Sequence, residues 1–334
     1  EEIGHEKKVK RKEVPDFSEI NGQQFVKRAC EIAVSGRHNL LMIGPPGAGK
    51  TMIARRIPGI LPEMTEEEAL EVTKIYSVRG LLTESEAWMA ERPFRNPHHT
   101  ITPQGLAGGG MVPGPGEISL AHHGVLFLDE LAEFRRETLE ILRQPMEEHC
   151  VKLARLAGNY EFPSDFMLVA AMNPCRCGYY PDLNRCHCTK GMVEQYLKKI
   201  SQPLLDRIDI CVETKRVEYQ DLIKENPHQE TSAEIRKRVV AAMERQQQRF
   251  AGTNIRYNSR IPAALLTKYC RLSTKQKQYM ENIYQKLELT ARSYHRILRV
   301  ARTIADMDGS DEILTRHLSE AVCYRNVDKK FWEG

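Results

Sequence analysis

Residues Gly44, Pro45, Pro46, Gly47, Ala48, Gly49, Lys50 and Thr51 spell Gly-Pro-Pro-Gly-Ala-Gly-Lys-Thr, which fits the phosphate-binding pattern G-x-x-x-x-G-K-[ST]. The pattern works only between a buried strand and a helix, so it constrains the fold. Both neighbours fit. Residues 39–43 are an apolar run that reads as a strand, and Met52-Ile53-Ala54-Arg55-Arg56 reads as the first turns of a helix. Glycines let successive N–H groups turn toward one anion, and the helix N-terminus adds partial positive charge. Lys50 would reach the β- and γ-phosphates, and the Thr51 hydroxyl would hold Mg²⁺. The plain alternative is a Gly/Pro turn that ends in Lys-Thr; strand, loop and helix in register argue against it.

About eighty residues on, Val125-Leu126-Phe127-Leu128 ends in Asp129-Glu130. A buried strand that delivers two carboxylates to its C-terminal end is the Walker B arrangement. Asp129 would bind Mg²⁺ through water, and Glu130 would orient the attacking water. Alone, such a run often marks only a strand entering a loop. Paired with the phosphate loop, it predicts ATP and Mg²⁺ as cofactors.

Composition adds limits. At 334 residues and 41% hydrophobic content, the chain suits two domains, or one large domain with an appendage. No apolar stretch approaches the roughly 20 residues that span a bilayer, so no membrane partner is expected. The absence of a signal peptide and of a starting Met suggests an excised piece of a longer protein. Residues 1–13 are almost all charged or His and read as a solvated tail. Nine cysteines without a secretion signal point to a reducing cytoplasm and to a metal. Residues 214–334 hold 23 Lys and Arg against 15 Asp and Glu, a balance of +8 where the whole chain is +4. That reads either as solvated helix faces or as a basic surface for a polyanion, nucleic acid first.

Two regimes follow a tail at 1–14. Residues 15–213 alternate strand and helix patterns, the signature of an α/β parallel sheet. Strands are predicted at 39–43, 125–129, 166–172 and 208–213, and helices at 22–35, 50–58, 66–76, 134–147 and 191–199. Residues 214–334 are helical in pattern, with helices at 219–225, 231–250, 262–270, 274–288, 291–307 and 315–325. Residues 94–117 form an insert with six glycines, too many for a regular helix, and such a loop beside a nucleotide site is commonly a moving part. Its His98 and His99 could form a turn, contact substrate or bind a metal. Residues 149–162 read as a hairpin with Gly158-Asn159 at its turn.

Cys175-x-Cys177 and Cys186-x-Cys188 are eight residues apart, and thiolates from two short turns can converge on one tetrahedral Zn²⁺. Four sulfurs leave no open position, so such a zinc would be structural, stapling the loop 173–190. His187 is an alternative ligand, and free thiols or a redox pair are the plain reading. Cys30, Cys150, Cys211, Cys270 and Cys323 are scattered and read as ordinary buried or partly buried residues.

Several of these segments together resemble a family. The phosphate loop, the Gly-rich insert, Leu-Phe-Leu-Asp-Glu, the hairpin, Ala-Ala-Met-Asn-Pro and Pro-Leu-Leu-Asp-Arg-Ile-Asp occur in the order of AAA+ ATPases of the magnesium-chelatase-like group. The closer likeness is to the ComM/YifB subfamily. It is carried by Arg95-Asn96-Pro97-His98-His99-Thr100, by residues 115–122, by Asn173-Pro174-Cys175-Arg176-Cys177-Gly178 and by residues 294–305. The likeness covers roughly residues 16–325. Relatives carry a Lon-like N-terminal domain that this chain lacks. They usually show Pro where Arg176 stands.

The resemblance implies an AAA+ three-layer sandwich followed by an all-helical lid, and a hexameric ring. It implies further roles. Asn173 sits at the sensor-1 position and would help place the attacking water. Arg207 matches an arginine finger that completes a neighbour's site. Arg292 matches sensor 2, with Arg296 one turn later as a rival. In related motors the hairpin projects into a central pore, where Lys152 and Arg155 could grip a phosphate backbone. A surface hairpin with ordinary charges is the alternative. ComM-type relatives drive branch migration, so single-stranded or branched DNA is the first expected substrate. Metal insertion into a porphyrin is a second, and protein remodelling a third, with Phe94 and Tyr160 as weak pore aromatics.

Overall fold

Four apolar runs and one two-residue segment make a single parallel sheet. The computed structural model describes residues 14–82, 88–110, 112–155, 158–216 and 229–332. In chain order the strands named below are β1 (Leu40–Ile43), β2 (Phe94–Arg95), β3 (Val125–Leu128), β4 (Cys150–Arg155), β5 (Gly158–Pro163), β6 (Met167–Met172) and β7 (Ile210–Glu213); Gly108–Gly109 and Gly114–Pro115 form a further antiparallel pair. The sheet order is β2-β3-β6-β1-β7, with every neighbour pair parallel. β4 and β5 pair antiparallel as a separate hairpin. Parallel strands covered on both faces read as unbroken apolar runs, which is why β1, β3 and β6 stand out in the sequence.

The helices named below are α1 (Gln24–Gly36), α2 (Lys50–Ala54), α3 (Glu66–Val78), α4 (Lys190–Leu197), α5 (Ser232–Arg249), α6 (Thr274–Lys286), α7 (Ala291–Met307) and α8 (Thr315–Trp332). Side chains alternate along each strand between two cores. Leu40, Met42, Phe127, Val169 and Val212 pack with α1 and with Ile235, Val239, Ile297, Ile304 and Tyr324 from the C-terminal helices. Leu41, Ile43, Leu126, Leu168 and Met172 pack with Phe134, Leu139, Val193, Leu197 and Leu205. The helical C-terminal segment therefore shares a core with one face of the sheet. Side-chain caps fix several helix starts: Thr65 with Glu68 on α3, Thr231 with Glu234 on α5, and Ser273 with Gln276 on α6.

The structure corrects several expectations. β2 falls inside the Gly-rich insert and is a fifth strand. That insert also holds short helices at Pro103–Ala107 and Glu117–Leu120, against the expectation from its glycine count. The helix expected over 134–147 is two pieces, Arg136–Glu140 and Arg143–Glu148. Pro145 has no N–H for the Ile141 carbonyl, so one continuous ladder cannot form. The helix expected over 50–58 ends at Ala54, before Pro58. Gly158 and Asn159 lie within β5, paired with Arg155 and Ala154, so they are not the hairpin turn. The last helix runs to Trp332, because Phe331 is buried against the second core. The helix expected over 219–225 and most of the tail expected at 1–14 lie outside the described residues.

Candidate nucleotide site

The phosphate loop joins β1 to α2. Gly47 and Gly49 have φ of 76° and 79°, left-handed values that favour glycine, and they turn the backbone around the place an anion would occupy. Lys50 is only 8% exposed. Its Nζ donates to the carbonyls of Gly44 (2.7 Å) and Pro45 (2.9 Å) and to Asn173 Oδ1 (3.1 Å). Burial pushes its pKa down to about 8, against the pull of Asp129. Thr51 Oγ1 donates to Asp129 Oδ2 at 2.7 Å. The fold thus gathers Lys50, Thr51, Asp129 and Asn173, from three adjacent strand ends, at one point.

Glu130 follows with φ 52° and ψ 46°, and its backbone N–H donates to Asp129 Oδ1 at 2.9 Å. Its side chain is 60% exposed, and its Oε2 lies 3.2 Å from His99 Nδ1. The His98 ring stands 4.1 Å from that of His99, and His98 Nδ1 lies 2.9 Å from Thr100 Oγ1. The vicinal histidines of the insert are thereby placed at the Glu130 carboxylate. Among the described residues they join no group of three metal-ligating side chains. A two-toothed Arg95–Glu117 pair (2.6 and 2.7 Å) ties β2 to the helix at 117–120, so the insert is braced.

The arginines lie elsewhere. Arg207 is 14% exposed, donates to the Pro203 carbonyl and pairs with Glu147. Arg292 is 71% exposed and pairs with Asp206 Oδ2 at 3.4 Å, next in sequence to Arg207 rather than at the phosphate loop. Arg296 is buried and donates to the carbonyls of Leu205 (3.2 Å) and Ile208 (3.0 Å) and to Asp206 Oδ1 (3.3 Å). All three arginines therefore group around the segment 203–208. On the hairpin, Lys152 is exposed and pairs with Glu148 at 2.7 Å, and Arg155 closes β4. Tyr160 lies on β5, half-buried. Phe94 stacks on Phe127 at 5.9 Å and packs against the first core, which removes it as a pore aromatic. The basic C-terminal half turns some of its charge inward: Arg296, Arg302 and Arg325 are buried.

The ligand atoms of Cys175, Cys177, Cys186 and Cys188 all lie within 4.8 Å of one another. Three sulfur separations are 3.3, 3.5 and 3.8 Å. Zn–S bonds of about 2.3 Å in a tetrahedron set S···S near 3.8 Å, so the set fits Zn²⁺. Burial opposes ionisation of Cys177, but N–H groups of Tyr179 and His187 and the neighbouring thiols bring it down to about 6. His187 is exposed. Of the scattered cysteines, Cys30, Cys150, Cys211 and Cys270 are buried, whereas Cys323 is exposed, contrary to expectation.

Sequence reasoning missed a second cluster. His122 Nε2 and His123 Nε2 lie 2.9 and 2.8 Å from the same Glu71 oxygen. The backbone N–H of Asp165 donates to His122 Nδ1 (2.9 Å), which puts the proton of the neutral ring on Nε2. That nitrogen then faces Glu71 as a hydrogen-bond donor and has no lone pair for a metal. Burial, and then His123, lower the His122 pKa to about 4, so the ring is neutral. The cluster is a clamp between α3 and the entry to β3. Vicinal histidines before a strand gave no signal of it, because the partner lies fifty residues earlier.

Two family profiles match the chain: magnesium chelatase, subunit ChlI, over residues 16–222, and the ChlI C-terminal region over residues 229–325. The uncharacterized protein YifB of Escherichia coli K12 is 45% identical over 314 residues, 94% of this chain and 61% of that protein. Competence protein ComM of Haemophilus influenzae is 43% identical over 310 residues, 93% of this chain and 60% of that protein. The magnesium-chelatase 67 kDa subunit of Chlorobaculum parvum is 27% identical over 162 residues, 47% of this chain and 23% of that protein. The chain spans about three fifths of the length of YifB and ComM. No helix among the described residues is long and apolar enough to cross a membrane.

Proposed function

We propose that this chain, which belongs to the magnesium-chelatase-like family of AAA+ ATPases and within it to the ComM/YifB subfamily, is the ATP-hydrolysing engine of a DNA motor. The observation that carries the ATPase reading is the convergence of Lys50, Asn173, Thr51 and Asp129 on one point. ATP would lay its phosphates on Gly44–Thr51, with Mg²⁺ held by Thr51 and, through water, by Asp129. Lys50 would exchange its carbonyl partners for phosphate oxygens. Glu130 would polarise the attacking water, and Asn173 would place it. Residues 15–213 would form the nucleotide-binding domain and 214–334 the lid.

AAA+ proteins commonly oligomerise. In a hexameric ring, Arg207 would leave Glu147 for the γ-phosphate of the neighbouring site. Arg292, on the same side of the subunit, would act beside it. The DNA reading rests on the likeness to a competence protein and on the hairpin, whose exposed Lys152 could meet a phosphate backbone. Reversing charge at Lys152 and Arg155 together should abolish the rise in ATP hydrolysis caused by single-stranded or branched DNA. An undiminished rise would count against the hairpin.

A second reading, metal insertion, is favoured by the match to the magnesium-chelatase 67 kDa subunit over 47% of the chain. The four-cysteine loop is read as a structural Zn²⁺ site, because its sulfur spacing suits a tetrahedral ion. Metal analysis of protein purified without chelators should find one zinc per chain.

A further inference from the structure

The four-cysteine loop does not stand apart from the nucleotide site. Asn173, which accepts from Lys50, is separated from Cys175 by Pro174 alone. Cys175 is fully buried and organises the turn that follows. Its carbonyl accepts from Gly178 N (3.0 Å), and its sulfur accepts from Tyr180 N (3.4 Å). That turn rests on the phosphate loop. Gly178 has φ 88°, and a Cβ added there would lie 2.5 Å from Pro46 Cδ and 3.2 Å from its Cγ. Only glycine meets both demands, the left-handed backbone and the close approach. Beside this contact is a cavity of about 360 Å³, with Pro45, Gly178, Tyr180 and Thr214 in its wall. With open space at its flank, the support that Pro46 receives there depends on how stiffly the turn is held.

Stiffness is what a tetrahedral ion would supply. Among the described residues, the one backbone–backbone hydrogen bond within the turn 175–178 is Gly178 N to Cys175 O. Zn²⁺ would lock Cys175 and Cys177 to Cys186 and Cys188 and fix the turn against Pro46. We propose that the zinc-closed loop is a strut for the phosphate loop: losing the ion frees the turn at Gly178 from Pro46 and Asn173 from Lys50, and weakens ATP binding. This rests on the zinc and nucleotide readings above, and goes beyond a zinc that only staples its own loop.

The test measures zinc content and the affinity for a fluorescent ATP analogue in three preparations. They are the chain as purified, the chain stripped with a chelator and desalted into Mg²⁺ buffer, and Gly178→Ala. The strut predicts one zinc per chain and about tenfold weaker binding after stripping, restored by added Zn²⁺. It also predicts a similar loss in Gly178→Ala with its zinc retained, because the new methyl group pushes the turn off Pro46. Should stripping unfold the chain, Gly178→Ala carries the test alone. Unchanged affinity in Gly178→Ala overturns the strut and leaves the zinc and nucleotide readings standing. Well under one zinc per chain overturns the strut together with the zinc reading. An untreated chain that does not bind the analogue overturns the nucleotide reading on which both depend.

Discussion

The phosphate loop and helix α7 both bury cations, and they do so in opposite ways. Lys50 is held by two carbonyls and an amide oxygen, all of them neutral. On α7, Arg302 meets Asp306 Oδ1 (3.1 Å) and the carbonyls of Ser310 and Asp311, while Asp306 also accepts from Arg249 and from Asn258 Nδ2 (2.8 Å). A buried charge paired with a buried charge is complete, and its service is to the fold. A buried cation held by neutral oxygens has room for an anion to improve its surroundings. The difference separates a residue of the core from a residue of the site, although both look alike as basic positions on helices.

That contrast can be broken first on the α7 side. Asp306→Ala leaves Arg249 and Arg302 without their shared carboxylate, Arg302 deep in the core. The expected loss is about 3–5 kcal/mol of stability, read as an earlier thermal or urea midpoint. An unchanged midpoint would mean that the network is not structural. The converse change, Lys50→Ala, should cost about 10²- to 10³-fold in ATP hydrolysis while the melting temperature holds or rises, since a partly desolvated ammonium is removed. A melt that collapses along with activity would place Lys50 among the structural cations.

A smaller effect sharpens the comparison through pH. The free protein's Lys50 titrates at about 8, well below the ordinary lysine value of 10.5. Bound phosphate favours the ammonium and raises that pKa, so binding takes up a proton once the free lysine is neutral. Affinity should be full below pH 8 and fall as pH rises through it, by up to about tenfold per unit. The folded chain itself behaves oppositely. Its depressed lysine pKa means that the folded state holds fewer protons, so this group's contribution to stability improves between pH 8 and 10.5. ATP-analogue titrations from pH 7 to 9.5 would show the first trend, and a flat profile would contradict it.

These contrasts also explain what could be read in advance. Gly44–Thr51 and Val125–Glu130 are contiguous, and each carries its own flanking element, so the parallel sheet and the candidate nucleotide site were legible. β2 was not, because two residues make no pattern. The break at Leu142 lay in view at Pro145, but the surrounding periodicity hid it. His99 at Glu130, and Glu71 with His122 and His123, depend on which loops the sheet order brings together. In the sequence Arg296 is only a rival of Arg292 for the sensor-2 role. Only the fold shows it capping the carbonyls of Leu205 and Ile208. The four cysteines were legible as a group, whereas their contact with Pro46 was not.

The central claim is a shared ATPase site driven by DNA, and its most direct test is steady-state ATP hydrolysis with and without single-stranded and branched DNA. It should be run at two protein concentrations and two salt concentrations, on the natural chain and on Arg207→Ala. The account predicts hydrolysis that rises with protein concentration, is stimulated by DNA in a salt-sensitive way, and is lost in Arg207→Ala. Hydrolysis that is indifferent to DNA, or that persists at full rate in Arg207→Ala, would contradict it.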